Sequence, residues 1–238
     1  QADFGTYQVA ETYSPTQIVT EALRYPQNIG IAYTYNEPVI WFEYILDTAM
    51  AAHTAGLKNV MVTNGFINEG PLSGLLPFID AFSVDLKGFN ESFYRKISAG
   101  TLAPVLNCLK QIRQAGKHLE IVNLVVPQLN DNEAEFEAMI QWIAAELGEN
   151  TILHLSRYFP RYRLGIEPTP LYTLDKFTEI AREKLKFVYL GNIHSEYSDS
   201  HCPVCANLLV TRQGYTVSCP GLRNDGKCKF CGYQFCER

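Results

Sequence analysis

The sequence predicts an α/β protein, a partial (β/α)6 TIM-like barrel followed by a small cysteine-rich module. Three observations predict it. Short apolar runs alternate with amphipathic stretches from about residue 15 to residue 191. Polar residues gather at the C-terminal ends of those runs, where a β/α barrel carries its active site. Six of the seven cysteines fall after residue 201.

The first run, Asn28–Thr34, ends in Tyr35-Asn36-Glu37-Pro38. A helix is expected over Trp41–Ala55, with Phe42, Ile45, Leu46 and Ala49 on one face and Gly56 as its stop. The second run, Asn59–Val62, ends in Thr63-Asn64-Gly65, and the third, Phe82–Val84, in Asp85-Leu86-Lys87. Val105, Leu109 and Ile112 mark a helix before Gly116. The fourth run, Leu119–Val126, carries Asn123. Phe136, Ile140, Ile143 and Leu147 mark the next helix, opened by Asn132 and Glu135 at capping-box spacing. The fifth run, Thr151–Leu155, carries His154. After an Arg-, Gly- and Pro-rich loop over Arg161–Pro170, a helix over Asp175–Leu185 leads into the last run, Phe187–Leu190. The runs are continuously apolar, which suits parallel strands buried on both faces. About six strands is fewer than the eight of a closed barrel, so the barrel is open or lacks N-terminal strands.

The formal net charge of -5 argues against a nucleic-acid partner. No apolar stretch is long enough to span a membrane, and no secretory signal opens the chain. The expected location is cytoplasmic. The chain begins at Gln1 without a Met, so its start is expected to lie upstream. Clustered cysteines in such a chain point to metal rather than disulfides. Cys202-Pro-Val-Cys205 and Cys228-Lys-Phe-Cys231 are two C-x2-C knuckles. Together they supply four thiolates to one tetrahedral ion, zinc with iron as the alternative, in a closed structural site. This divides the chain into a barrel over 1–194 and a zinc ribbon over 195–238, joined by the polar linker Ser195–Ser200. Cys219 and Cys236 read as spare thiols beside the ribbon, and Cys108 as a core residue.

Each polar residue at a strand end has an ordinary explanation. Asn36-Glu37-Pro38 reads as a helix cap with Pro in the first turn. Thr63-Asn64-Gly65 reads as a turn. Asp85 and Lys87 sit two apart on one strand face and suit an ion pair, or a zwitterionic ligand such as an amino acid. A lone His154 in an apolar run is more often a satisfied core residue. Their shared position at one end of one kind of element is what suggests a site.

The chain resembles radical S-adenosylmethionine enzymes related to the pyruvate formate-lyase activating enzyme, most closely the radical enzyme of the AmmeMemoRadiSam system. The resemblance runs through Tyr35-Asn36-Glu37-Pro38, Thr63-Asn64-Gly65-Phe66 and Asp85-Leu86-Lys87-Gly88. It continues through Leu153–Tyr162, Pro168-Thr169-Pro170 and the paired C-terminal knuckles. It implies that Asn36, Glu37 and Pro38 meet the methionine end of S-adenosylmethionine, with Thr63 and Asn64 on the neighbouring strand end. Asp85 and Lys87 would contact the methionine or the substrate. Asn123 and His154 would approach the ribose, carboxylate or substrate. It further implies a 5′-deoxyadenosyl radical that abstracts hydrogen, and a glycyl-radical-activase-like role. The partners implied are a protein or small-molecule substrate and an electron donor such as flavodoxin or ferredoxin. The family's C-x3-C-x2-C loop, which binds a [4Fe–4S] cluster, is absent here. The resemblance therefore implies ligands upstream of Gln1, a missing first β/α unit and an inactive chain as given. Two alternatives stand beside it: a Schiff-base barrel aldolase using Lys87, and a cluster-less nucleoside-binding barrel with the ribbon as an interaction module.

Overall fold

The computed structural model describes residues 12–161, 164–193, 198–214 and 216–236. The expected boundary at 194/195 lies outside the described residues, as do Gln1–Glu11.

Helix α1, Pro15–Leu23, opens the described chain. Ser14 accepts from the Gln17 N–H while the Gln17 side chain accepts from the Ser14 N–H, a complete capping box. Strand β1 is Gly30–Tyr33. A Cβ on Gly30 would lie 2.1 Å from the Lys58 carbonyl oxygen, so only glycine lets the chain approach its neighbour this closely. A 3-10 turn, Pro38–Trp41, precedes α2, Phe42–Thr54. The expected helix over Trp41–Ala55 is α2, one residue inside each bound, and the 3-10 turn ahead of it is capped by Glu37 with Pro38 in its first turn.

The alternation continues with β2 (Lys58–Thr63), α3 (Glu69–Leu75), β3 (Ala81–Asp85) and the short α4 (Glu91–Phe93). Then come α5 (Leu102–Gln114), β4 (His118–Val125), α6 (Glu133–Trp142) and β5 (Ile152–Arg157). Helix α7 (Leu171–Arg182) and β6 (Phe187–Gly191) complete it. Helix α7 starts at Leu171 rather than Asp175. Its first residues, Leu171 and Tyr172, are exposed and so hide the helical periodicity. Before α6, Asn132 accepts from the Glu135 N–H at 3.1 Å. The Glu135 carboxylate turns instead to the Asn90 amide.

All six strands pair in parallel, in the order β1-β2-β3-β4-β5-β6. The helices cover one face. There Met61, Phe82, Val84, Ile121 and Leu153 meet Ile45, Leu109, Ile112, Phe136 and Phe177, all within one cluster. Phe136 and Phe177 stack with ring centroids 4.0 Å apart. Burying each such aromatic contributes about 1.5–3 kcal/mol. Burial on both faces, expected from the apolar runs, is corrected by this structure. Strands β3 and β5 alternate between buried and half-buried positions, because helices cover only the outer face. The inner face carries Ser83, Asp85, Glu120, His154 and Tyr189, side chains that tolerate water at one end. Strands β7 (Ser200–His201), β8 (Leu208–Gln213) and β9 (Thr216–Ser218) form a second, antiparallel sheet. Its core is Leu209, Val210 and Leu222 with Cys202 and Cys228. Among the described residues, no helix is long and apolar enough to cross a membrane.

Candidate active site and metal centre

Glu37 ties the ends of β1 and β2 together. It caps the 3-10 turn, accepting from the Val39 N–H at 3.3 Å. The same carboxylate accepts from the Thr63 hydroxyl at 2.6 Å and the Asn64 N–H at 2.7 Å. Thr63 is 4% exposed, and its oxygen in turn accepts from the Gly65 N–H. Asn64 accepts from the Phe66 N–H through its side-chain oxygen. Both ordinary readings of these residues, cap and turn, are therefore satisfied in one network. Pro38 is buried and Asn36 exposed beside it. The peptide between Tyr35 and Asn36 is cis.

Asp85 ends β3, and Lys87 lies just beyond it, with Lys87 Nζ 3.7 Å from Asp85 Oδ2. Their side chains remain 41% and 44% exposed, so both charges are accessible to a ligand. Burial raises the Asp85 carboxyl above the usual range; Lys87 opposes the rise and Glu37 adds to it. Two asparagines fix the backbone between and after this pair. Asn123 donates to the Leu86 carbonyl at 2.7 Å, and Asn130 to the Lys87 carbonyl at 2.6 Å. Asn123 is 2% exposed on the helix-covered face. Its Oδ1 has no hydrogen-bond partner among the described residues. It thus stands behind the Asp85–Lys87 turn, on the face opposite Glu120 and His154.

His154 shares the inner face with Asp85, since both pair in register with Val122. Its ring turns away from the strand ends. Nε2 meets Glu120 Oε2 at 2.8 Å, and the ring stacks on Tyr189 at 5.6 Å. The other Glu120 oxygen meets His118 Nε2 at 3.0 Å. The structure thus groups Asn36, Glu37, Thr63 and Asn64 at one strand end and Asp85 with Lys87 at another, and sets His154 in a different cluster. The sequence reading missed Glu120, His118 and Asn130. A charged residue at every second position, His118-x-Glu120, was the available signal for inner-face polarity.

The His118–Glu120–His154 cluster gives a pH signature. Burial opposes ionisation of Glu120, but hydrogen bonds and charge from both histidines outweigh it and hold the carboxyl below its ordinary value. The bond to Glu120 raises His118. A lowered carboxyl stabilises the fold above its ordinary pKa of about 4.3, and the contribution fades as pH falls. A raised histidine stabilises it below about 6.5, and the contribution fades as pH rises through the raised value. The melting-temperature gap between wild type and Glu120→Gln should therefore be widest between roughly pH 5 and 6.5. Thermal melts from pH 3 to 9 measure this, and a gap independent of pH would remove the cluster's electrostatic role.

At the C-terminus, the sulfurs of Cys202, Cys205, Cys228 and Cys231 all lie within 4.8 Å of one another. Cys202 and Cys231 are 3.5 Å apart, and Cys205 and Cys228 are 3.6 Å apart. A disulfide needs about 2.05 Å. The edge of an S4 tetrahedron with metal–sulfur bonds of about 2.3 Å is roughly 3.8 Å. The four thiols therefore fit a metal. Hydrogen bonds from Asn207 draw the Cys205 thiol down to about 6, toward the thiolate a metal requires. Cys219 and Cys236 lie partly buried beside this centre, outside the four-sulfur group.

Residues 3–143 match the sequence profile of the Radical SAM superfamily. The chain is 40% identical over 92% of its length to an uncharacterized protein of Methanocaldococcus jannaschii, spanning 66% of that protein. It is 23% identical over 69% of its length to the benzylsuccinate synthase activating enzyme of Thauera aromatica, spanning 54% of that enzyme. Its fold matches a domain of the pyruvate-formate lyase-activating enzyme from Bacteroides vulgatus with a TM-score of 0.61. That match has 13% identity and covers 68% of this chain and 99% of that domain. The matched residues make up more than half of the chain, and the chain belongs to the Radical SAM superfamily. It spans about two-thirds or less of the length of these two curated relatives.

Membership implies S-adenosylmethionine and a [4Fe–4S] cluster. The exposed, paired charges of Asp85 and Lys87 suit the zwitterionic methionine end of the former. The cluster does not fit the residues present. No C-x3-C-x2-C set occurs among the seven cysteines. Cys108 is 2% exposed in α5, its thiol pushed up to about 12 by burial. The remaining six lie in the C-terminal module.

Proposed function

We propose that this chain is the S-adenosylmethionine-binding partial barrel of a radical enzyme of the activating type. The reaction is reductive cleavage of S-adenosylmethionine to a 5′-deoxyadenosyl radical, which abstracts hydrogen from a protein or small-molecule substrate. The electron comes from a donor such as flavodoxin or ferredoxin. The cluster's ligands lie outside these 238 residues, so the chain's own share is binding and orientation. The observation that carries this reading is the accessible Asp85–Lys87 pair, held on a turn that Asn123 and Asn130 fix from behind. Asp85 faces the ligand's ammonium and Lys87 its carboxylate, while the loop from Asn36 to Pro38 and Asn64 border the same strand ends. The ion pair also speaks against the Schiff-base reading, which needs a lysine activated by desolvation or by another cation. The four C-terminal cysteines hold zinc in a structural role.

Calorimetric titration of the cluster-loaded full-length protein tests the pair. Lys87→Ala should weaken S-adenosylmethionine or substrate binding by roughly 1–3 kcal/mol, the cost of losing a charged hydrogen-bond partner, without lowering the melting temperature appreciably. The 238 residues alone should be colourless and should not release 5′-deoxyadenosine under reduction. Cleavage by that form, or unchanged affinity for both ligands in the variant, would overturn the reading.

A further inference from the structure

We propose a second binding site, for an anion with a planar aromatic body, in the cleft between strands β4–β6 and the cysteine module. The cleft measures about 1330 Å³. This is large beside the roughly 300–1,000 Å³ of ordinary small-molecule pockets. It runs from the strand starts at His118, Ile152 and Phe187 along β6 to Leu190 and Ile193, and neither Glu37 nor Lys87 lines it.

Its walls are aromatic on both sides. Phe187 and Tyr189 come from β6, and Tyr233 and Phe235 from the module. Phe187 and Phe235 meet edge to face at 5.7 Å. Tyr189 is already flanked by His154 and Arg212, so Phe187, Tyr233 and Phe235 are the rings that offer a planar ligand stacking or edge contacts.

The charges in the cleft are unequally used. Both Glu120 oxygens are taken, by His118 and His154. Asp199 accepts the Arg212 backbone N–H through Oδ1. The cations have more to give. The Arg113 guanidinium has no hydrogen bond or ion pair among the described residues, and it lines the cleft. Arg212 lies 5.3 Å over the Tyr189 ring, and among the described residues its guanidinium donates through Nη1, to the Ser198 carbonyl and the Ser200 hydroxyl. Its other guanidinium donors have no partner among the described residues. A cationic ligand would find both Glu120 oxygens and one Asp199 oxygen occupied. A neutral aromatic would leave Arg113 unanswered. An aromatic anion answers both walls and charges, since guanidinium groups pair with carboxylate or phosphate through parallel N–H donors.

Isothermal titration of the metal-loaded protein with phenyl phosphate and with benzoate tests this, with benzyl alcohol and inorganic phosphate as controls. At least one aromatic anion should bind about tenfold or more tightly than either control, and the stronger of the two identifies phosphate or carboxylate recognition. Arg113→Gln should weaken that binding about tenfold at an unchanged melting temperature, because Arg113 is exposed. Saturating S-adenosylmethionine should not compete, which separates this site from the one at the strand ends. No binding at millimolar probe, equal binding of benzyl alcohol, insensitivity to Arg113→Gln, or competition by S-adenosylmethionine would each overturn the proposal.

Discussion

Stripping the metal from the C-terminal module is expected to unfold β7–β9 while the six-stranded sheet stays folded. The module's buried cluster contains five residues, and two of them, Cys202 and Cys228, are themselves proposed ligands. Leu209, Val210 and Leu222 remain, each contributing about 1.5–3 kcal/mol. Ordering the backbone costs about 1–2 kcal/mol per residue over the whole segment, so this core cannot hold the module alone. A four-thiolate metal contributes roughly 10–16 kcal/mol in comparable peptides. The sheet of β1–β6 has its own, far larger cluster and does not depend on the ion. Metal analysis of protein purified without chelator should find about one equivalent, zinc by expectation. Chelation, or Cys228→Ser, should then open the segment after Ser200 to protease while residues up to Gly191 resist. A chelated module that still resists protease would remove the metal from its folding.

The same contrast explains what could be read from the sequence. Strands β2 to β6 were legible because their buried positions, such as Met61, Phe82, Ile121, Leu153 and Val188, sit in apolar runs that end at polar turns. The four metal-site cysteines were legible because C-x2-C spacing is local. Helix α1 was not singled out, although Ser14-Pro15-x-Gln17 carries a full capping signature. With Val19 as its one buried residue, it lacks a strong apolar stripe. The site was legible only where neighbours in sequence are neighbours in space, as with Asp85 and Lys87. The face of Asn123 was legible by parity, opposite to His118 and Glu120 on the same strand, but its partner, the Leu86 carbonyl on another element, was not. The surroundings of His154 were hidden for a related reason. Its partners Glu120 and Tyr189 come from the adjacent strands β4 and β6, and nothing local in the sequence announces them.

Replacing Glu37 with Ala should produce the largest loss at the strand ends. One carboxylate there satisfies three donors from two different elements: the Val39 N–H, the Thr63 hydroxyl and the Asn64 N–H. Hydrogen bonds to a charged group contribute about 1.5–3 kcal/mol each, and an unsatisfied buried donor costs about 1–3 kcal/mol. Thr63 is too buried for water to replace its lost partner freely. The three bonds share one side chain and one loop, so they do not add in full. A loss of about 3–5 kcal/mol in folding stability is expected. Glu37→Gln should lose less. Its oxygen at the Oε1 position can still accept from the Val39 N–H and the Thr63 hydroxyl, but its amide nitrogen sets a donor against the Asn64 N–H. In the cluster-loaded protein, both variants should also weaken S-adenosylmethionine binding, because the turn after β1 and the end of β2 are no longer tied together. Urea denaturation of the two variants measures the stability order, and it does so independently of any ligand. If Glu37→Ala cost under about 1 kcal/mol, the carboxylate would not be what holds these strand ends in place.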